Sequence, residues 1–110
     1  MNWKSLTSTQ DVLDLAERSK VVPCLIFKHS TSCPISSIAR MRLEGDWSFP
    51  AENPEPYFLD LLRYRQVSHF IAEHFAVHHE SPQILLIKDG MCVYDNSHLD
   101  ISIAELAESL

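Results

Sequence analysis

The sequence predicts one α/β domain over residues 1–110: a four-stranded mixed sheet flanked by helices, with one extra helix at the N-terminus. Three observations predict it. Short apolar runs rich in β-formers alternate with stretches of helical period. An Asp-Gly pair joins the last two apolar runs. A capped amphipathic segment closes the chain. At 110 residues the chain has room for one compact domain and not two.

Taken in order, Ser8 to Ser19 reads as a helix, with Val12, Leu13, Leu15 and Ala16 apolar and capping oxygens at Thr7, Ser8 and Thr9. Val21 to Phe27 fits a buried central strand, and Pro23 belongs near its start because it cannot donate to a ladder. After Cys33-Pro34 a helix runs to about Leu43, with Ile35, Ile38, Ala39 and Leu43 on one face. Glu44 to Pro56 holds three prolines and a glycine and reads as a loop, long enough to need Trp47 and Phe49 to pin it to the core.

Tyr57 to Leu62 reads as the second strand. Gln66 to Phe75 reads as a helix with Val67, Phe70, Ile71 and Phe75 inward. Ile84 to Ile87 and Met91 to Tyr94 are the third and fourth strands, joined by Asp89-Gly90, where both turn positions call for positive φ. Ser102 and Glu105 make a capping box for the last helix, with Ile103, Leu106, Ala107 and Leu110 as its apolar stripe. Strands separated by helices are expected to pair in parallel, and the last two antiparallel. This order is the βαβαββα plan of the thioredoxin fold with one added helix.

Composition narrows the function. The formal charge is −6, which argues against nucleic acid as a partner. No apolar stretch is long enough to span a bilayer, so no membrane association is expected. Residues 1–20 are polar and acidic and do not resemble a secretion signal. The three cysteines, Cys24, Cys33 and Cys92, are too few for a disulfide framework and read as reduced thiols in the cytoplasm.

The chemistry is expected at Cys33. It lies just after a buried strand and just before a helix, and Pro34 suits the first helical position. Cys33 then caps the helix, its sulfur facing the amides of Ile35 and Ser36 and the positive end of the dipole, which favours the nucleophilic thiolate. The Ser36 hydroxyl is expected to donate to the same sulfur. A two-cysteine C-x-x-C motif would carry its resolving thiol at position 36. Serine there leaves one-thiol exchange: Cys33 takes a small thiol from a mixed disulfide, and a second free thiol releases it. The plain alternative for Cys33 is an inert packed cysteine.

The segments Phe27–Ser36 (FKHSTSCPIS), Leu59–Phe75 (LDLLRYRQVSHFIAEHF) and His79–Gly90 (HESPQILLIKDG) resemble the monothiol bacilliredoxins of the bacillithiol redox system. The resemblance implies a thioredoxin fold, an active cysteine at Cys33 with Ser36 as its motif serine, and removal of bacillithiol from mixed disulfides on cytosolic proteins. Bacillithiol, or a similar low-molecular-weight thiol, is then a co-substrate, with no bound cofactor. It also implies a cis proline at Ser81-Pro82 opposite the cysteine, whose backbone could pair with an extended thiol ligand.

Around Cys33, the residues Lys28, His29, Thr31, Pro34, Ser81 and Pro82 are expected to bind the small thiol. Lys28, His29 and Arg40 would supply positive charge near the thiolate or hold a carboxylate, unless they are ordinary solvated residues. Cys24 and Cys92 are expected to be small packing residues. The six histidines lack the close His–Cys clustering of a zinc site, so no metal is expected. The competing function is a non-catalytic binding module or an iron–sulfur carrier. Pro34 counts against the latter, because cluster-carrying relatives usually have Gly after the cysteine.

Overall fold

Cys24–His29 forms the centre of the sheet, and all six of its residues are buried. The computed structural model describes residues 1–50 and 53–110. In chain order the elements are β1 (Lys4–Ser5), α1 (Thr9–Arg18), β2 (Cys24–His29), α2 (Pro34–Asp46), β3 (Glu55–Asp60), α3 (Arg65–His74), β4 (Gln83–Lys88), β5 (Met91–Ser97), a 3-10 turn at His98–Asp100, and α4 (Ile103–Glu108). None of the helices among the described residues is long and apolar enough to cross a membrane.

The sheet has five strands in the order β1-β3-β2-β4-β5, one more than the sequence predicts. The added β1 is two residues long and pairs parallel to β3 through Lys4↔Tyr57 and Ser5↔Phe58. A two-residue strand has no periodicity of its own to announce it. β2 pairs parallel to β3, whereas β4 is antiparallel to both β2 and β5. The strands on either side of α3 are therefore not parallel neighbours as expected. α3 descends about 15 Å over ten residues, and the eight residues from Phe75 to Pro82 can reach about 26 Å when extended. The chain thus climbs back and enters β4 at the edge where β2 ends.

Alternation along β2 divides the core. Cys24 and Ile26 face Val12 and Leu15 of α1 and Val67 and Ile71 of α3. Leu25 and Phe27 face Ala39 and Leu43 of α2 and Leu106 of α4. Side chains of successive strand residues point to opposite faces, so Lys28 belongs to the α1/α3 side and His29 to the α2/α4 side.

Several expected boundaries move. β2 starts after Pro23, and β3 begins two residues before Tyr57 and ends at Asp60. The expected loop at Glu44–Pro56 is shorter, because α2 continues through Asp46 and β3 starts at Glu55. Ala51 and Glu52 of that loop lie outside the described residues. Trp47 and Phe49 do pin it: both pack on the α2/α4 core, in ring contact with each other at 5.0 Å.

The buried face of α2 is Ser36, Ala39 and Leu43, while Ile35 and Ile38 are 41% and 44% exposed. The cap at Cys33 sets the phase of the helix, and that phase puts the two isoleucines outward.

The turns and caps follow the local chemistry. Ser8 Oγ accepts the Asp11 amide at 3.1 Å, and Asp11 accepts the Thr7 amide at 2.9 Å. Asp89 and Gly90 both take positive φ, 51° and 76°, the conformation a two-residue hairpin turn needs. Ser102 Oγ accepts the Glu105 amide at 3.3 Å, but only half of the expected capping box forms. The Glu105 carboxylate accepts instead from Tyr94 Oη at 2.8 Å and from Asn96. Leu110 is exposed and outside the buried stripe.

Candidate functional site

Cys33 caps α2 in an extended conformation (φ −108°, ψ 116°), with Pro34 following as the first helical residue. The turn before it is closed by the Cys33 amide donating to Ser30 O at 3.2 Å. The Cys33 carbonyl accepts the Ser36 and Ser37 amides at 3.1 and 3.3 Å. The sulfur itself makes no capping hydrogen bond. The expectation that Sγ faces both the Ile35 and Ser36 amides is corrected accordingly, since the Ser36 amide is already taken. Cys33 is partly exposed, and Thr31 and Pro34 beside it are exposed.

Ser36 is fully buried, and its hydroxyl is not a donor to Cys33. Ser36 Oγ accepts the Ser30 amide at 3.0 Å and lies 2.7 Å from His29 Nδ1. Burial, reinforced by the nearby Arg40 cation, holds the His29 pKa below its ordinary value. Its ring is therefore predominantly neutral at neutral pH, and Nδ1 is hydrogen-bonded to the Ser36 hydroxyl. The His29 ring is wedged against Phe58 at 5.3 Å and Phe27 at 5.7 Å. It is neither solvated nor a source of positive charge. Arg40 sits over the Phe58 ring at 4.8 Å and pairs with Glu44 at 3.3 Å.

Lys28 departs furthest from expectation. It is fully buried on the sheet face opposite α2. Its ammonium donates to Ser68 O at 3.3 Å and to His79 Nδ1 at 3.2 Å. Burial pushes its pKa down to about 8. Sequence reasoning did not single out Ser68 or His79, because nothing in the local pattern links residues 40 and 51 positions from Lys28.

The Ser81-Pro82 peptide is cis. The antiparallel register Lys28↔Gln83 brings Ser81-Pro82 alongside His29 and Ser30, at the strand end that leads to Cys33. Ser81 Oγ is buried with no hydrogen-bond partner among the described residues.

The other cysteines are elsewhere. Cys24 is buried in the α1/α3 core, and burial, followed by the Glu55 carboxylate, pushes its thiol up to about 12. Cys92, on the edge strand β5, is pushed up to about 11, mainly by burial. A cavity of 590 Å³ lies between the end of α2 and α4, lined by Leu43, Ile101 and Ile103 among others. Its nearest lining residues on α2, Arg42 and Leu43, are about 14 Å along the helix from Cys33, and it plays no part in this site.

The arrangement is a partly exposed thiol at a helix start, with a buried serine where a resolving thiol would stand. The model of the monothiol bacilliredoxin BrxC family matches residues 4–106. The chain belongs to the monothiol bacilliredoxin family. A solved structure described as a candidate oxidoreductase with a thioredoxin fold is 30% identical, with a TM-score of 0.76 over 96% of this chain and 91% of that one. The thioredoxin of Malassezia sympodialis is 14% identical, with a TM-score of 0.73 over 97% of this chain and 86% of that one. The thioredoxin of Fasciola hepatica is 18% identical, with a TM-score of 0.69 over 96% and 93%. The two thioredoxins show the fold alone. Bacilliredoxin membership, with the oxidoreductase neighbour, supports a thiol redox role for the chain.

Proposed function

We propose that the protein is a one-thiol exchange enzyme that removes a low-molecular-weight thiol, bacillithiol by family, from mixed disulfides on cytosolic proteins. The observation that carries this reading is that Cys33 alone of the three cysteines stands partly exposed at a helix start, with Ser36 in the buried position of a resolving thiol. The Cys33 thiolate attacks the small-thiol sulfur of the mixed disulfide. A disulfide forms between Cys33 and the small thiol, the original disulfide breaks, and the protein thiolate leaves and takes up a proton. A second small-thiol thiolate then attacks the adduct, giving the small-thiol disulfide and free Cys33. Thirteen residues of helix and a closed turn fix the nucleophile, and the backbone at Ser81-Pro82 is the segment an extended ligand would pair with. Thr31 and Pro34 flank the thiol and would line the same surface.

The test is intact-mass analysis after mixing reduced protein with a bacillithiolated substrate protein and, separately, a glutathionylated one. The expected result is one small-thiol adduct on Cys33 with release of the substrate thiol, faster from the bacillithiolated donor, and no adduct on Cys33→Ser. No transfer from either donor overturns the reading.

A further inference from the structure

Lys28 carries a buried ammonium that meets no carboxylate among the described residues. It is hydrogen-bonded to a carbonyl, Ser68 O, and to an imidazole, His79 Nδ1. Ser68 Oγ also lies 3.2 Å from His79 Nδ1. Ser68 and His79, with Lys28 behind them, line a 110 Å³ cavity together with Leu61, Arg65 and His69. Its lining carries one cation, Arg65, and no carboxylate. Because Lys28 donates to Nδ1, the His79 ring carries its proton on Nε2. The His69 ring stands 6.4 Å away. Arg65, exposed on the first turn of α3, makes no ion pair among the described residues.

The neighbouring carboxylates are engaged elsewhere. Glu80 is shared by His78 at 3.8 Å and His98 at 3.4 Å, and Asp60 accepts the Arg63 amide at 3.4 Å. Position links the cavity to the thiol. Leu61 donates its amide to His29 O at 3.0 Å, which ties the cavity to the strand end four residues before Cys33. His79 lies two residues before Ser81-Pro82. Leu61 and the segment His79–Pro82 thus lie at the end of the sheet where β2 leads to Cys33.

We infer that this cavity is an anion subsite that seats a carboxylate of the small thiol whose sulfur is delivered to Cys33, held by Arg65, His69 and His79 with Lys28 behind them. The inference rests on the thiol-transfer reading and deepens it. The space suits one carboxylate group and not a whole small thiol, so the ligand would lie across the edge with its sulfur on the α2 side. An anion here also supplies the counter-charge that the buried ammonium lacks.

The test uses the full chain and two mixed disulfides of one cysteine peptide, with mercaptosuccinate as the anionic thiol and mercaptoethanol as the neutral one. Adduct formation on Cys33 is followed by intact mass at low salt. The anionic donor is expected to react about tenfold faster, equivalent to about 1.4 kcal/mol. Arg65→Gln should bring the two rates within about twofold of each other, and Arg65→Lys should restore part of the preference. In parallel, titration of the protein with plain succinate should shift the amide resonances of Ser68, His69 and His79, and less so in Arg65→Gln.

Equal rates from both donors, without succinate shifts, would overturn the subsite and leave transfer standing. Succinate shifts without an adduct from either donor would uphold the anion site and overturn its role in transfer. Neither shifts nor adduct would overturn both.

Discussion

Ser36 Oγ and His29 Nδ1 lie 2.7 Å apart beneath the Cys33 turn, and the same hydroxyl accepts the Ser30 amide at 3.0 Å. One buried oxygen thereby staples the end of β2, the turn and the first turn of α2 together. Ser36→Ala leaves two buried polar groups, the Ser30 amide and His29 Nδ1, with no partner. The expected cost is about 2–6 kcal/mol, since each of the two orphaned buried groups forfeits roughly 1–3 kcal/mol. Urea unfolding of Ser36→Ala against wild type measures it. A loss below about 0.5 kcal/mol, the level of an ordinary surface change, would show that the staple carries no load.

Ser36→Cys should convert the one-thiol site into a two-thiol site. Residues three apart on a helix bring their β-carbons within about 5–6 Å, near enough for a disulfide after a small local adjustment. The introduced thiol would take the place of Ser36 Oγ beside the His29 ring. The small-thiol adduct on Cys33 should then be short-lived, and the product should be lighter than the reduced protein by two hydrogens. Time-resolved intact mass separates this from wild type, in which the adduct persists until a second thiol is added. A persistent adduct on Ser36→Cys would show that position 36 cannot reach Cys33.

Glu55 gives the acid limb of stability. Its carboxylate is buried at the start of β3 and accepts from Lys4 at 2.8 Å and from Arg18 at 3.0 and 3.3 Å. Burial alone would raise its pKa, but the hydrogen bonds from Arg18 and Lys4 outweigh that and hold it below the ordinary value. A depressed carboxylate stabilises the fold fully above its unfolded pKa of about 4.3. That contribution is lost as the pH falls through the lower folded value. Glu55→Gln should lower stability at neutral pH by about 1.5–3 kcal/mol, the worth of hydrogen bonds to a charged group, and should narrow the gap to wild type near pH 3. Urea melts at both pH values give the comparison.

Much of this site was legible in residue order. Cys33-Pro34 after a buried run marks a helix start, because proline's fixed φ and missing amide suit only that position, and the structure has the helix begin there. Asp89-Gly90 marked the hairpin for an equally local reason. What the sequence could not show was direction. Lys28 and His29 are adjacent, and both read as candidate cations beside the thiol. Strand alternation sends Lys28 through to α3 and His29 back under α2. Which of the two faces Cys33 depends on the alternation along β2, and the expected strand ended at Phe27, short of both residues. Ile35 and Ile38 failed for the same reason, since the helix cap and not the hydrophobic tally set the phase of α2. Ser68 and His79 meet Lys28 only through tertiary packing, which no local pattern encodes.

Lys28 gives the alkaline limb, with the opposite sign to Glu55. Its ammonium is held at about 8 by burial, whereas an unfolded lysine titrates near 10.4. Between these values the unfolded chain keeps a proton that the folded chain has shed, so stability should rise with pH, with a limiting slope of about 1.4 kcal/mol per pH unit. The buried thiols oppose this. Cys24 and Cys92 are held at about 12 and about 11, whereas unfolded thiols ionise near 8.5. Above that point the unfolded chain loses their protons first, and two thiols outweigh one lysine. The wild-type urea midpoint should therefore stay nearly level to about pH 8, where the lysine and thiol terms cancel, and fall beyond it. Lys28→Met should fall from about pH 7.5 without that plateau. Cys92→Ala removes one of the opposing titrations and keeps the lysine contacts intact, so its midpoint should climb to a maximum near pH 9 before falling. A Cys92→Ala midpoint that declines from about pH 7.5 without a climb would mean that the folded protein keeps Lys28 charged throughout this range.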